Sequence, residues 1–210
     1  MNTSTLEDTI LPTSNDPWIF RELGQAQFGD ARLTQRAMSI AKDLSEHPDR
    51  SLASIYQGNL GALHAAYRLY NNPAVQPAAI LAPHRAATYE RMRLGEESLV
   101  LIAQDTCYFN FSSHEALQGA GPIERPNDKG ILMHSALAMT PQGVPIGLAA
   151  QKIWTRDPAE FGKGRKRTKR PFADKESARR LEIAQEAASG ERRAGRHARR
   201  DYGRSRIRYL

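Results

Sequence analysis

"SLVLIAQDTCYFNF", Ser98 to Phe111, is where this chain changes its pattern. Before it, apolar residues recur at helical spacing. From it onward they alternate or run together with aromatics, as in a buried strand. The apolar run meets one acid, Asp105, and then resumes. A carboxylate inside a buried strand is costly unless it is paired or hydrogen-bonded. Asp105 therefore demands either a partner or a chemical role.

On the N-terminal side the reading is helical. In "DPWIFRELGQAQFGDARLTQRAMSIAKDLSEHP" the apolar positions Leu33, Ala37, Ile40, Ala41 and Leu44 keep a helical period over Pro17 to Glu46. Asp16 precedes Pro17 as an N-cap precedes N1, and Asp30, after Gly29, suits the cap of a second helix. Pro48 ends it. One further helix is predicted from Leu52 to Tyr70, with Leu52, Ile55, Tyr56, Leu60, Leu63, Ala66 and Tyr67 along one side. "NNP" at Asn71 to Pro73 is a turn, and Pro77 to Arg93 a last helix that stops near Gly95.

On the C-terminal side, "LQGAGPIERPNDKG" reads as a loop, "ILMHSALAM" (Ile131 to Met139) as a second strand, "TPQG" as a turn and "VPIGLAAQKIW" (Val144 to Trp154) as a third strand. Strands with short connections predict an antiparallel meander. "GKGRKRTKR" (Gly162 to Arg170) is a basic loop, and "DKESARRLEIAQEAAS" a helix capped by Asp174. No internal repeat is visible.

The chain has 210 residues, of which 40% are hydrophobic, so a core is expected and wholesale disorder is not. The N-terminus reads as no signal peptide, and no apolar run reaches the roughly 18 residues of a membrane helix. Cys107 is the single cysteine, which excludes a disulfide framework and a cysteine zinc cluster and fits a reducing cytoplasm. The net charge of +7 is uneven. Up to Phe161 there are 13 Lys and Arg against 17 Asp and Glu; from Gly162 onward there are 17 against 6. A basic last quarter suits a polyanion such as nucleic acid, and equally a solvated tail.

Several side chains are candidates for chemistry. Asp105 suits a Mg²⁺ ligand, a base, or a hydrogen bond to a neighbouring backbone group or Thr106, with structural and functional roles evenly weighted. One acid does not make a two-metal site, which needs several oxygen ligands around ions about 4 Å apart. His134 on an apolar strand reads first as a hydrogen-bonded core histidine. Trp154 and Arg156 flank a strand end, where they pack on each other or touch a ligand. Arg32, Arg36 and Lys42 share a helical face or nearly so, as a solvated face or as phosphate contacts. No phosphate-cradling glycine loop, zinc spacing or Ser-His-Asp order occurs.

The pieces "FGDARLTQRA", "AAYRLYNNPAVQPAAIL", "LIAQDTCYFNFS", "LQGAGPI", "GILMHSALAMTPQGVPIGL", "KIWTR" and "DKES" occur in the order found in bacterial insertion-sequence transposases of the IS-four, Tn-five-like group. The chain resembles that family from about Trp18 to Ala188. The resemblance implies an α+β chain: an N-terminal all-α domain that binds double-stranded DNA at the inverted repeats of transposon ends, then a catalytic domain of RNase H type. It implies an Asp-Asp-Glu triad holding two Mg²⁺ or Mn²⁺ ions for DNA cleavage and strand transfer. The "QDT" motif places the first triad acid at Asp105, as catalytic residue and metal ligand. Arg32 and Arg36 fall in a DNA-contacting region, with Lys42 beside them, and Tyr67 and Arg68 match "AYR". On this reading residues 1–95 are the end-binding domain, 96–190 an incomplete RNase H-like domain of three antiparallel strands and a helix, and 191–210 a disordered Arg-rich tail.

The chain departs from the family past "DKES". The second triad Asp, in an Asp-Arg-Glu motif, is missing, and so is the later Glu. Asp201 to Leu210 can be written in codons that, shifted by one base, encode Thr-Met-Ala-Asp-Arg-Glu-Ser-Asp-Ile. The expectation is a frame slip near Ser189 to Arg192, a tail translated out of frame, and a truncated copy inactive alone, with no stably bound metal. The sheet is then expected to expose an edge where a fourth strand would pair. The alternative is a non-enzymatic DNA-binding or regulatory fragment that occupies transposon ends or pairs with a full-length transposase; the partners expected are transposon-end DNA and a second copy or a full-length transposase, in the bacterial cytoplasm at the nucleoid.

Overall fold

The structure, a computed structural model, describes residues 17–95, 99–125, 127–160, 176–197 and 206–209. The Asp16 and Asp174 caps and the basic stretch from Gly162 to Arg170 lie outside these residues. The chain is α+β and divides into two compact units, Met1–Ala87 and Thr88–Leu210.

The first unit is helical. α1 spans Pro17–Leu23, α2 Ala31–Glu46, α3 Leu52–Ile55 and α4 Leu60–Tyr70. α5, Pro77–Leu94, starts in this unit and runs across the boundary. Asp30 caps α2 by accepting the Arg32 N–H at 2.8 Å, which satisfies one of the orphan donors of the first turn. Inside the unit, Phe28, Ala37 and Ile40 pack with Ala66 and Leu69 of α4, and Leu33, Leu44, Val75 and Ile80 close around them. The Tyr56 hydroxyl donates to Asp43 Oδ2 at 2.6 Å, joining the end of α3 to α2. Burial, followed by this bond and the Asp43 charge, holds the phenol well above its ordinary range, with Arg36 opposing. Glu22 of α1 pairs with His84 Nδ1 of α5 at 2.6 Å.

One helix was predicted from Leu52 to Tyr70; the structure has two. Gly58 sits at φ 85°, a left-handed conformation that breaks the helix and that L side chains avoid. Asn59 then caps α4 by accepting the Ala62 N–H at 3.0 Å. The break shifts the helical phase. Ala66 and Leu69 face the core, whereas Leu60 and Tyr67, expected on the apolar side, are 66% and 45% exposed.

The second unit is built on a sheet. β1 spans Leu99–Asn110, β2 Gly121–Pro122, β3 Lys129–Met139, β4 Pro145–Trp154 and β5 Arg206–Tyr209. β1, β3 and β4 form the expected antiparallel meander, and the two-residue β2 pairs with the start of β3. A 3-10 turn follows at Pro158–Glu160, and α6 runs from Glu176 to His197. The period-two alternation of β3 buries Leu132, His134, Ala136 and Ala138 on one face. That face, with Val100 and Ile102 of β1, packs on Tyr89 and Met92 of α5 and on Ile183 and Ala187 of α6. Burying Ile183 completely contributes about 2–3 kcal/mol.

Two expectations about the C-terminal end change. The 191–210 segment was read as a disordered tail, but α6 continues to His197 and Arg206–Tyr209 form β5. β5 pairs parallel with Leu99–Ile102, so this part of the β1 edge is covered where an open edge was expected.

The Tyr89 hydroxyl lies 2.8 Å from the Ala149 carbonyl and 3.1 Å from the Ala187 carbonyl, joining α5 to β4 and α6. Gly190 of α6 lies against the Tyr89 ring, with no room for a Cβ. Tyr89→Phe should destabilise the chain by about 1–2 kcal/mol, and Gly190→Ala by about 1–3 kcal/mol through overpacking. Urea unfolding followed by circular dichroism measures both. An unchanged midpoint for Gly190→Ala would mean that α6 does not pack this closely.

Candidate nucleic-acid interface and the acid of β1

The first candidate surface lies on α2 and α4. Arg32 is 92% exposed along its side chain, with its Nε 4.0 Å from Asp30. Arg36, one turn on, is exposed too. Lys42 does not share their face: at about 100° per residue it stands roughly 120° from Arg36, and it pairs with Glu46 at 3.9 Å. Tyr67 and Arg68 are exposed on α4, and His64 and Asn71 stand at helical spacing beside them. Ala66 and Leu69 hold that helix to α2 by their burial. The outward face thus offers a cation, an imidazole, a phenol and an amide, the groups that bond phosphates and base edges. His64 was passed over because the helix phase was carried unbroken through Gly58, and Asn71 because it was assigned to the turn that follows.

The second candidate is Asp105, and its setting differs from the expectation. It is exposed, so no burial penalty attaches to it. Val100 and Ile102 point into the core, and one residue of offset puts Asp105 on the opposite face. Its cross-strand neighbour is Ser135, which in turn pairs with Gln151. Gln151 Nε2 donates to Ser135 Oγ at 3.0 Å. The row beside Asp105 is therefore a hydroxyl and an amide, with no second carboxylate. Among the described residues no group of three or more His, Cys, Asp or Glu converges to hold a metal ion. These residues do not fit a two-metal centre.

His134 is 2% exposed. Its Nδ1 lies 2.7 Å from Thr106 Oγ1 and its Nε2 3.1 Å from Gln104 Oε1. An amide oxygen can only accept, so Nε2 carries the proton and Nδ1 accepts from the threonine hydroxyl. Burial, with the nearby Arg180 cation, lowers the imidazole below its ordinary value against a smaller opposing effect of Asp105. His134 is a neutral strut between two strands.

Trp154 and Arg156 do not stack on each other. The Arg179 guanidinium of α6 lies 4.9 Å from the Trp154 ring centre, and Arg156 lies 5.5 Å from that of Tyr108. The Trp154 indole N–H is buried and, among the described residues, has no hydrogen-bond partner. Arg179, in "SARRLE", was not among the candidates that the sequence singled out.

Residues 15–75 match the model of a protein family described as transposase DNA-binding. The match covers α1 to α4, including Arg32, Arg36, Lys42, Tyr67 and Arg68. It supports a transposase N-terminal domain in this part of the chain. No helix among the described residues is long and apolar enough to cross a membrane.

Burial disfavours the protonated form of His134 in the folded state, while the unfolded chain takes up a proton near pH 6.5. Below about pH 6.5 the unfolded state therefore binds more protons, and stability should fall as pH drops through that range. His134→Ala should remove this contribution to the pH slope and destabilise by about 2–4 kcal/mol. Asp105→Ala, at an exposed site, should change stability by less than about 0.5 kcal/mol. Urea titrations at several pH values measure all three.

Proposed function

We propose that this chain is a transposase-related DNA-binding protein whose first unit recognises duplex DNA at the inverted repeats of a mobile element. The family match over residues 15–75 carries this reading. The outward faces of α2 and α4 supply the contacts: Arg32 and Arg36 to phosphates, and Tyr67 and Arg68 to phosphate or base edges. Lys42, turned away and paired with Glu46, has a lesser part. The protein acts in the bacterial cytoplasm at the nucleoid, as a homodimer or in company with a full-length transposase.

The second unit is, on this reading, the opening of an RNase H-like domain. An antiparallel meander followed by a helix and a strand parallel to β1 supports it. Asp105 would be its first acid and a ligand for Mg²⁺ or Mn²⁺. Asp105 lacks companion carboxylates among the described residues, so no cleavage or transfer step is assigned to it. On this reading the role proposed for this chain is DNA occupancy.

Gel-shift titration with the inverted-repeat DNA flanking the gene tests the reading. The wild-type chain should bind it at least about 10³-fold more tightly than random duplex, the lower end of the usual range of specificity ratios. Arg32→Ala, Arg36→Ala and Arg68→Ala should each weaken binding about 3–10-fold, and Lys42→Ala less than about 2-fold. No cleavage of the same DNA should appear with Mn²⁺. Equal affinity for random duplex would refute end recognition. Turnover abolished by Asp105→Ala would refute the binding-only reading.

A further inference from the structure

The sheet of the second unit has two faces, and α5 and α6 pack on the one that carries Val100, Ile102, Ala136 and Ala138. The same register sets the opposite face. Cys107 of β1, Met133 of β3 and Ile153 of β4 lie in one row across it, and Asp105, Ser135 and Gln151 form the next. Phe109 and Ile131 stand beyond Cys107 and Met133. Ile153 is 46% and Phe109 39% exposed, and Cys107 and Asp105 are exposed with them. An apolar patch on a sheet face, rimmed by polar groups, marks an interaction site.

We propose that two copies of the chain meet on this face, sheet on sheet, about a two-fold axis that runs along β3. Sheets pack face to face with their strands nearly aligned, and an axis along the middle strand lays β1 of one copy over β4 of the other. Met133 then meets the partner's Met133 on the axis, and Cys107 meets the partner's Ile153. The polar row selects a second copy as the occupant, because Asp105 falls opposite the partner's Gln151. Gln151 uses one Nε2 hydrogen on Ser135 Oγ at 3.0 Å, and an amide has a second to donate. The two-fold repeats this pairing at both ends of the row, so each carboxylate gains a donor. β5 flanks β1 only from Leu99 to Ile102, so Asp105 lies at the rim of the contact and keeps water on one side. The three strands are 12, 11 and 10 residues long. Strands of that length present a footprint of roughly 35 by 14 Å, about 500 Å² a side. Two such sides bury about 1,000 Å², the lower bound for a specific interface, which suits reversible pairing in the micromolar range.

This pairing gives the homodimer of the proposed function its interface, and cross-linking reads it without DNA, so its failure is distinct from a failure of end recognition. Oxidation of the full chain carrying Ile153→Cys tests it. Cys107, the one native cysteine, is two strand spacings, roughly 10 Å, from position 153 of its own chain, too far to bridge there. Between copies the two-fold brings them together across packed sheets, where immunoglobulin domains also form a disulfide. A disulfide-linked dimer should appear on a non-reducing denaturing gel. Wild type and Ile153→Cys with Cys107→Ser should cross-link far less, because identical positions lie on opposite sides of the axis. Sedimentation velocity of the unmodified chain should show a monomer–dimer equilibrium, weakened about 10-fold by Met133→Lys, which sets two cations face to face on the axis. Ile153→Glu gives a second reading if Met133→Lys fails to fold. A chain that stays monomeric, or cross-linking as strong with either single cysteine, would overturn the interface. So would a dimer undisturbed by both substitutions, as pairing along a strand edge would give.

Discussion

The antiparallel register that pairs Leu101 with Met139 and Asn110 with Gly130 is the constraint on which the second unit depends. Side chains alternate across a sheet, so a slip of one residue would turn every buried group to the other face. In the observed register Val100, Ile102, Ala136 and Ala138 form the wall against which α5 and α6 pack. The same register puts His134 between Thr106 and Gln104, and Tyr108 in the row of Trp154. It also puts Asp105 beside Ser135, outside the core. Core, strut, aromatic row and the placing of Asp105 are four consequences of one pairing.

The first unit rests on a different constraint. A short helix, a left-handed glycine and a capped helix replace one continuous helix, which lets Tyr56 bond Asp43 while Ala66 and Leu69 pack on α2. The turn at Gly58 thus decides which side of α4 is buried. The exposed Tyr67 and Arg68 follow from that phase, and with them the surface that the transposase DNA-binding match covers. A helix that presents side chains outward needs one face held and the other free, and the break supplies both.

Much of the architecture was legible because it rests on local periods. The change from a helical to a two-residue period marked β1, β3 and β4 within a residue or two, and α2 and α5 followed from caps and spacing. The break at Gly58 was not legible, because an apolar stripe can be drawn through it unbroken. The parallel pairing of Arg206–Tyr209 with β1 was not legible either, since a short Arg-rich segment carries no strand period of its own and is placed by its neighbour. At the candidate sites, His134 was correctly read as a core histidine. Asp105 was expected to be buried, because an apolar run looks alike whether both faces of a strand are covered or one.

The sequence by itself determined the order of helices and strands, the basic bias of the last quarter and the motifs around Asp105, Trp154 and Arg68, since each depends on residues close in the chain. Only the tertiary structure decided which face each of these residues occupies and what stands beside it. Asp105 has Ser135 for a neighbour, and Arg156 lies on Tyr108 rather than on Trp154. Those relations join residues tens of positions apart, and they are set by strand register and helix phase, which local composition does not encode.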